Sequence, residues 1–112
     1  MISVAASGDT TFRQHIAVSC YADYALDAIA RISVTIRRKG ETSSVGSHDF
    51  SAAAAAPWSV DLSRDPSRGA SFERRFSVFF DDARPHLSSD WEDIGPTEAF
   101  VSIFPRTLYS MT

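Results

Sequence analysis

From Ile16 to Ile36 every even-numbered residue is apolar: Ile16, Val18, Cys20, Ala22, Tyr24, Leu26, Ala28, Ala30, Ile32, Val34 and Ile36. A period of two marks a strand with one buried face, because successive side chains leave a pleated backbone on opposite sides. Strands in globular domains run to about 5–6 residues, so the stretch from His15 to Arg38 is too long for one and is expected to fold back as a hairpin. Holding the even positions on one face of both arms demands an odd loop, of about three or five residues, around Asp23 to Asp27. The rival is an amphipathic helix over 23–32, with Ala22, Leu26, Ile29 and Ile32 at helical spacing and Asp23 as N-cap. The second half of the stretch favours strand: Arg31, Ser33, Thr35 and Arg37 alternate with Ile32, Val34 and Ile36, and β-branched residues suit a pleated surface better than a helix.

Shorter pieces repeat the pattern. Ile2 to Ala6 reads as a first, edge strand ended by Ser7-Gly8-Asp9. Gly40 closes the strand over Arg31 to Lys39, and Val45 to Phe50 forms a short one through a bulge at Gly46. Ala52 to Ala56 is too short for a helix before Pro57. Trp58, Val60 and Leu62 alternate with Ser59 and Asp61, and beyond a breaker-rich loop over Ser63 to Ala70 the alternation resumes with Phe72, Phe76, Val78 and Phe80. These two runs read as a second hairpin. Arg74 shares the phenylalanine parity, so it must reach a strand edge, stack on a ring or meet a carboxylate. Asp81 to Pro96 is a long polar connection in which Ser89 and Glu92 form a capping box able to start one helical turn. Ala99, Val101 and Ile103, with Phe100 and Phe104, are apolar on both parities, as in a strand buried on both faces that ends at Pro105.

About seven short strands with turns at regular spacing predict an all-β fold, a single-domain antiparallel β-sandwich of immunoglobulin-like architecture over residues 1–112. The alternative is α+β, with one helix near 23–32 on an antiparallel sheet. The Cys, Trp, Cys framework of antibody domains is absent.

Composition agrees with a globular domain. The chain has 112 residues, 44% hydrophobic and 22% charged, outside the polar, highly charged range of disorder. Eight Phe, three Tyr and two Trp favour sheet over helix. A net charge of −3 offers phosphate backbones no long-range attraction, so no nucleic-acid partner is expected, and Arg37-Arg38-Lys39 reads as a solvated strand end. Cys20 is the lone cysteine; it excludes an internal disulfide and sits on the apolar parity, as a buried, inert thiol would. The N-terminal MISVAASGDTTF has no signal-peptide pattern, and no apolar run reaches the ~18 residues of a membrane span. The expectation is no membrane partner and an intracellular or virion setting. Without Asn the chain has no N-glycosylation acceptor.

Candidate chemistry is sparse. His15, His48 and His86 belong to no metal-type spacing. If strand ends cluster at one pole, His48, Asp49, Asp81, Asp82 and His86 would form a metal-ligating group; Asp90, Glu92 and Asp93 would join Asp81 and Asp82 in a loop-borne calcium site. The plainer reading of the latter is a solvated acidic loop, because no ordered D-x-D-x-D-G run is present. Neither a G-x-S-x-G elbow nor a glycine-rich phosphate loop occurs, so no enzyme activity and no cofactor are expected. The chain is expected to be a non-enzymatic protein-binding or assembly module acting through sheet-surface or edge contacts, with other copies of itself among the partners. Its candidate binding residues are Tyr21, Tyr24, Arg74, Trp91 and Tyr109, aromatic and arginine types that interfaces prefer. Two alternatives are a small β-barrel or α+β domain with a small-molecule or catalytic pocket using Arg74, His48 or His86, and a calcium-binding β-sandwich.

Overall fold

Alternation becomes strand along most of the chain in the computed structural model, which describes residues 12–64, 71–95 and 97–109. The strands are β1 (Phe12–Cys20), β2 (Ile29–Arg38), β3 (Ser44–Phe50), β4 (Trp58–Arg64), β5 (Phe72–Phe80), β6 (Leu87–Ser88), β7 (Glu92–Ile94) and β8 (Phe100–Ile103), with a 3-10 turn at Pro105–Leu108 after them. One sheet has the order β4-β1-β8; the other runs β3-β2-β5-β6, with β7 also on β5. Their inner faces meet in one apolar cluster. Ile16, Val18, Leu62, Val101 and Ile103 come from the first sheet, and Ile32, Val34, Ile36, Phe50, Phe72 and Val78 from the second. Each such side chain contributes roughly 1.5–3 kcal/mol by leaving water. The protein is an all-β sandwich of two packed sheets. The expected first strand at Ile2 to Ala6 and most of the loop between β4 and β5 lie outside the described residues.

Both expected hairpins are corrected. β1 pairs with β4 and β8, whereas β2 pairs with β3 and β5, so residues 21–28 cross from one sheet to the other. Likewise β4 pairs with β1 and β5 with β2, so the second pair of runs also divides between sheets. Facing strands on opposite sheets share an inward parity as readily as neighbours in one sheet do, so alternation alone cannot separate the cases. The parity itself breaks once: a bulge between Ile29 and Arg31 turns Ile29 inward and leaves Ala30 exposed.

The helix proposed for 23–32 is absent, although its cap is real. The Asp23 carboxylate accepts the Leu26 N–H at 3.0 Å, and one helical turn forms behind it. Ile29 N–H then donates to the Tyr24 carbonyl and Ala28 N–H to Ala25, a Schellman ending with Ala28 at φ 54° in the left-handed region. That turn is clasped at one pole of the sandwich. Arg106 donates twice to the Asp27 carboxylate, at 2.9 and 3.1 Å, Tyr109 donates at 2.6 Å, and Arg84 reaches the Asp27 carbonyl at 2.8 Å.

Two further expectations change. The Ser89–Glu92 capping box starts no helix, because this segment pairs with β5 as β6 and β7. Ser89 instead accepts the Phe76 N–H at 3.0 Å. Ser77 faces Ser88 while Arg74 faces Glu92; the edge therefore holds one extra residue, and that bulge carries Trp91. Finally, β8 runs parallel to β1, so the sandwich is not wholly antiparallel, and β8 is buried on one face only.

Candidate protein-binding edge

The site is built on β8. Ala17 N–H donates to the Ala99 carbonyl and Tyr21 N–H to Ile103, each at 2.9 Å. Residues 99, 101 and 103 therefore direct their backbone groups at β1, and the groups of Phe100 and Ser102 point out of the sheet. Among the described strands β8 pairs with β1 alone. Val101 and Ile103 fill the core, while Phe100 is 75% and Phe104 53% exposed. Tyr21 stacks on Phe104, with centroids 5.2 Å apart and planes 16° from parallel.

Beneath this edge the sandwich is open. The small sheet offers three strands against four columns in the large one, and a cleft of about 240 Å³ lies between β5 and β7 on one side and the β8 edge on the other. Arg74, Phe76, Glu92, Ile103, Phe104 and Thr107 border it. Arg74 meets the expected carboxylate: its Nη2 donates to Glu92 at 2.9 Å, which makes its place on the inward parity tolerable.

The other edges are guarded. β3 bulges opposite Ile36 and Arg37 and carries Asp49, whose carboxylate accepts from Ser33 at 2.7 Å. β4 bears Asp61, bound to His15 at 2.7 Å, and β6 is two residues long. Charges, bulges and brevity prevent pairing with foreign strands. β8 is also short, at four residues, but its exposed parity, Phe100, Ser102 and Phe104, carries neither charge nor bulge.

The five candidate binding residues do not converge. Tyr21 and Arg74 flank the β8 edge. Tyr24 packs against the core, with its hydroxyl buried beside Cys20, and Tyr109 belongs to the Asp27 clasp. Trp91 lies on the outer face of the large sheet, with the Arg37 guanidinium 3.8 Å above its ring and Arg37 bonded to the buried Glu73 at 2.6 Å. A shallow groove of about 260 Å³ runs there between Trp91 and Phe79, floored by Ser33, Thr35 and Ser77. Phe100 and Phe104, which the apolar pattern assigns to a strand buried on both faces, are instead exposed. Apolar residues on both parities imply a second covered face, which the described residues do not supply.

Nor do the candidate metal ligands gather. His48 stacks on Trp58 at 5.4 Å, His86 stacks on Phe79 at 5.0 Å, and Asp82 binds Arg84. Glu92 is paired with Arg74 and Asp93 with Lys39. Among the described residues no three His, Cys, Asp or Glu side chains form a metal-binding group. Burial pushes the half-buried Cys20 thiol up to about 11, so it stays protonated at neutral pH and is a poor nucleophile. Burial, with the thiol beside it, also raises the Tyr24 phenol.

No family model, curated protein or solved structure matches this chain. The functional reading therefore rests on geometry.

Proposed function

We propose that this chain is a non-enzymatic protein-binding and assembly module that receives an extended strand at the β8 edge. The carrying observation is the outward backbone of Phe100 and Ser102 above an open cleft, flanked by exposed aromatic rings. In strand addition the main chain gives affinity, and alternate side chains meeting pockets give specificity. An added strand would lay one set of side chains beside Phe76 and Arg74 and the other beside Phe100, Phe104 and Tyr21. The same reading takes the sandwich as immunoglobulin-like. Its support is strand order: β1 and β4 correspond to B and E, the β3-β2-β5-β6 sheet to C′, C, F and G, and β8 lies beside β1 where strand A would.

The test uses extended peptides selected by display against the whole protein. Ser102→Pro removes an N–H that the sheet does not use, so the fold tolerates it, as edge strands tolerate proline. Selected peptides should bind Ser102→Pro at least roughly tenfold more weakly, the scale of one lost net hydrogen bond, and bind Trp91→Ala as they bind the wild type. Peptides insensitive to Ser102→Pro but lost with Trp91→Ala would move the site to the outer face and overturn the edge reading. Ser102→Lys repeats the test should the proline variant fold poorly.

A further inference from the structure

The β8 segment Phe100-Val101-Ser102-Ile103-Phe104 has nearly the same chemistry in both directions. A phenylalanine stands at each end, a β-branched aliphatic residue inside each, and a serine at the centre. Consider two such edges set antiparallel about a two-fold axis at Ser102. Ser102 then faces its own copy, Val101 faces Ile103, and Phe100 faces Phe104, as an isologous interface requires. Because the Ser102 backbone groups point out of the sheet, the central pair is of the hydrogen-bonded kind. The two serines exchange N–H and carbonyl, and each Phe104 N–H meets the Phe100 carbonyl opposite.

Both faces gain. On the outside, Phe100 of one copy lies directly across from Phe104 of the other, an aromatic cross-strand pair that stabilises sheets. On the inside, Val101 and Ile103 of the second copy continue the apolar surface over the cleft beside Phe76. No charged side chain on the exposed parity meets its own copy. The pairing would also shelter the flanks of the Phe100 and Phe104 rings, 75% and 53% exposed, by setting each beside a ring of the other copy.

We propose that the strand received at the β8 edge comes from a second copy of this chain, through antiparallel β8–β8 pairing centred on Ser102. This rests on the strand-addition reading and adds the identity and register of the partner.

The test is sedimentation velocity on the full chain from roughly 10 μM to 1 mM, the range of modest interfaces. The wild type should approach twice its 12.3 kDa mass. Ser102→Lys, which sets like charges on the axis, and Ser102→Pro should each weaken association at least roughly tenfold with an unchanged β circular dichroism spectrum. Under mild oxidation Ser102→Cys should form a covalent dimer, since Cα atoms about 5.5 Å apart suit a disulfide. Ser59→Cys on β4, and the wild type with Cys20 alone, should not. A dimer that survives Ser102→Lys and Ser102→Pro overturns the pairing. So does a wild type that remains monomeric at the highest concentration; if display-selected peptides still depend on Ser102, strand addition stands and only the self-pairing falls.

Discussion

The pole at Asp27 and the edge at β8 handle exposed polar groups in opposite ways. At the pole the carboxylate is held by Arg106 and Tyr109, its own carbonyl by Arg84, and the turn it belongs to is capped by Asp23 and closed by a Schellman pair. At the edge the backbone of Phe100 and Ser102 faces outward between the exposed Phe100 ring and the Phe104 ring on which Tyr21 stacks. The first region fixes how β1 crosses to β2 and therefore carries stability. In the second, the outward-facing Phe100 and Phe104 bury little within the chain, and under the proposed function they carry association. Variants should separate the two quantities.

The largest effect on stability is expected from Asp27→Ala. It removes charge-assisted hydrogen bonds from a side chain only 11% exposed, at a cost of about 2 kcal/mol, or roughly 8 °C in Tm for a domain of this size. Alanine suits the helical turn, so strain adds nothing. Thermal unfolding monitored by circular dichroism measures the loss, and the folded variant should associate as the wild type does. If Asp27→Ala abolished association, the two regions would not be separable as described.

Acidification should give the next effect. The hydrogen bond from Arg106, then that from Tyr109, holds the Asp27 carboxyl below its usual pKa. The folded state thus binds a proton less readily than the unfolded one, so the contribution of the clasp is complete above about pH 4 and fades as pH falls through the depressed value. The stability gap between wild type and Asp27→Asn should shrink over that range. Tyr109 acts from the alkaline side. Burial, then the Asp27 carboxylate, pushes its phenol up to about 12, so above about pH 10 the unfolded chain loses the proton first and stability declines. Denaturant titrations at a series of pH values would measure both limbs.

Ala28→Gly should raise stability by about 0.5–1 kcal/mol, because φ 54° is costly for any residue with a Cβ and natural to glycine at this position of a Schellman ending. No gain would mean that the turn is held by the clasp and not by its own backbone. The smallest stability change belongs to Phe100→Ser. An exposed ring removed from the edge should alter unfolding by no more than about 0.5 kcal/mol, while association falls at least roughly tenfold. A large loss of stability with unchanged association would invert the comparison.

Local chemistry made much of this legible in advance. The alternation of Ile32, Val34 and Ile36 with polar neighbours specifies β2, Asp23 specifies a cap, Gly40 a turn at φ 85°, and the inward parity of Arg74 the carboxylate it finds in Glu92. Each depends on neighbours within a few residues or on a rule about what burial tolerates. Strand partnership was not legible. Even positions from Ile16 to Val18 and from Ile32 to Ile36 are inward because the two strands face a common core, and a facing strand leaves the same mark on sequence as an adjacent one. The dispersal of His48, Asp82 and His86 to separate partners likewise comes from pairing that no spacing encodes.

The β8 segment divides the two sources of information most clearly. Its residues alone determine that both faces of a strand are apolar and that it ends at Pro105. Only the packed sheets decide that Val101 and Ile103 are covered by this chain and that Phe100 and Phe104 are not, because burial is a property of what lies opposite. Sequence sets the pattern each strand presents, and the tertiary structure sets which of those faces and edges remain open.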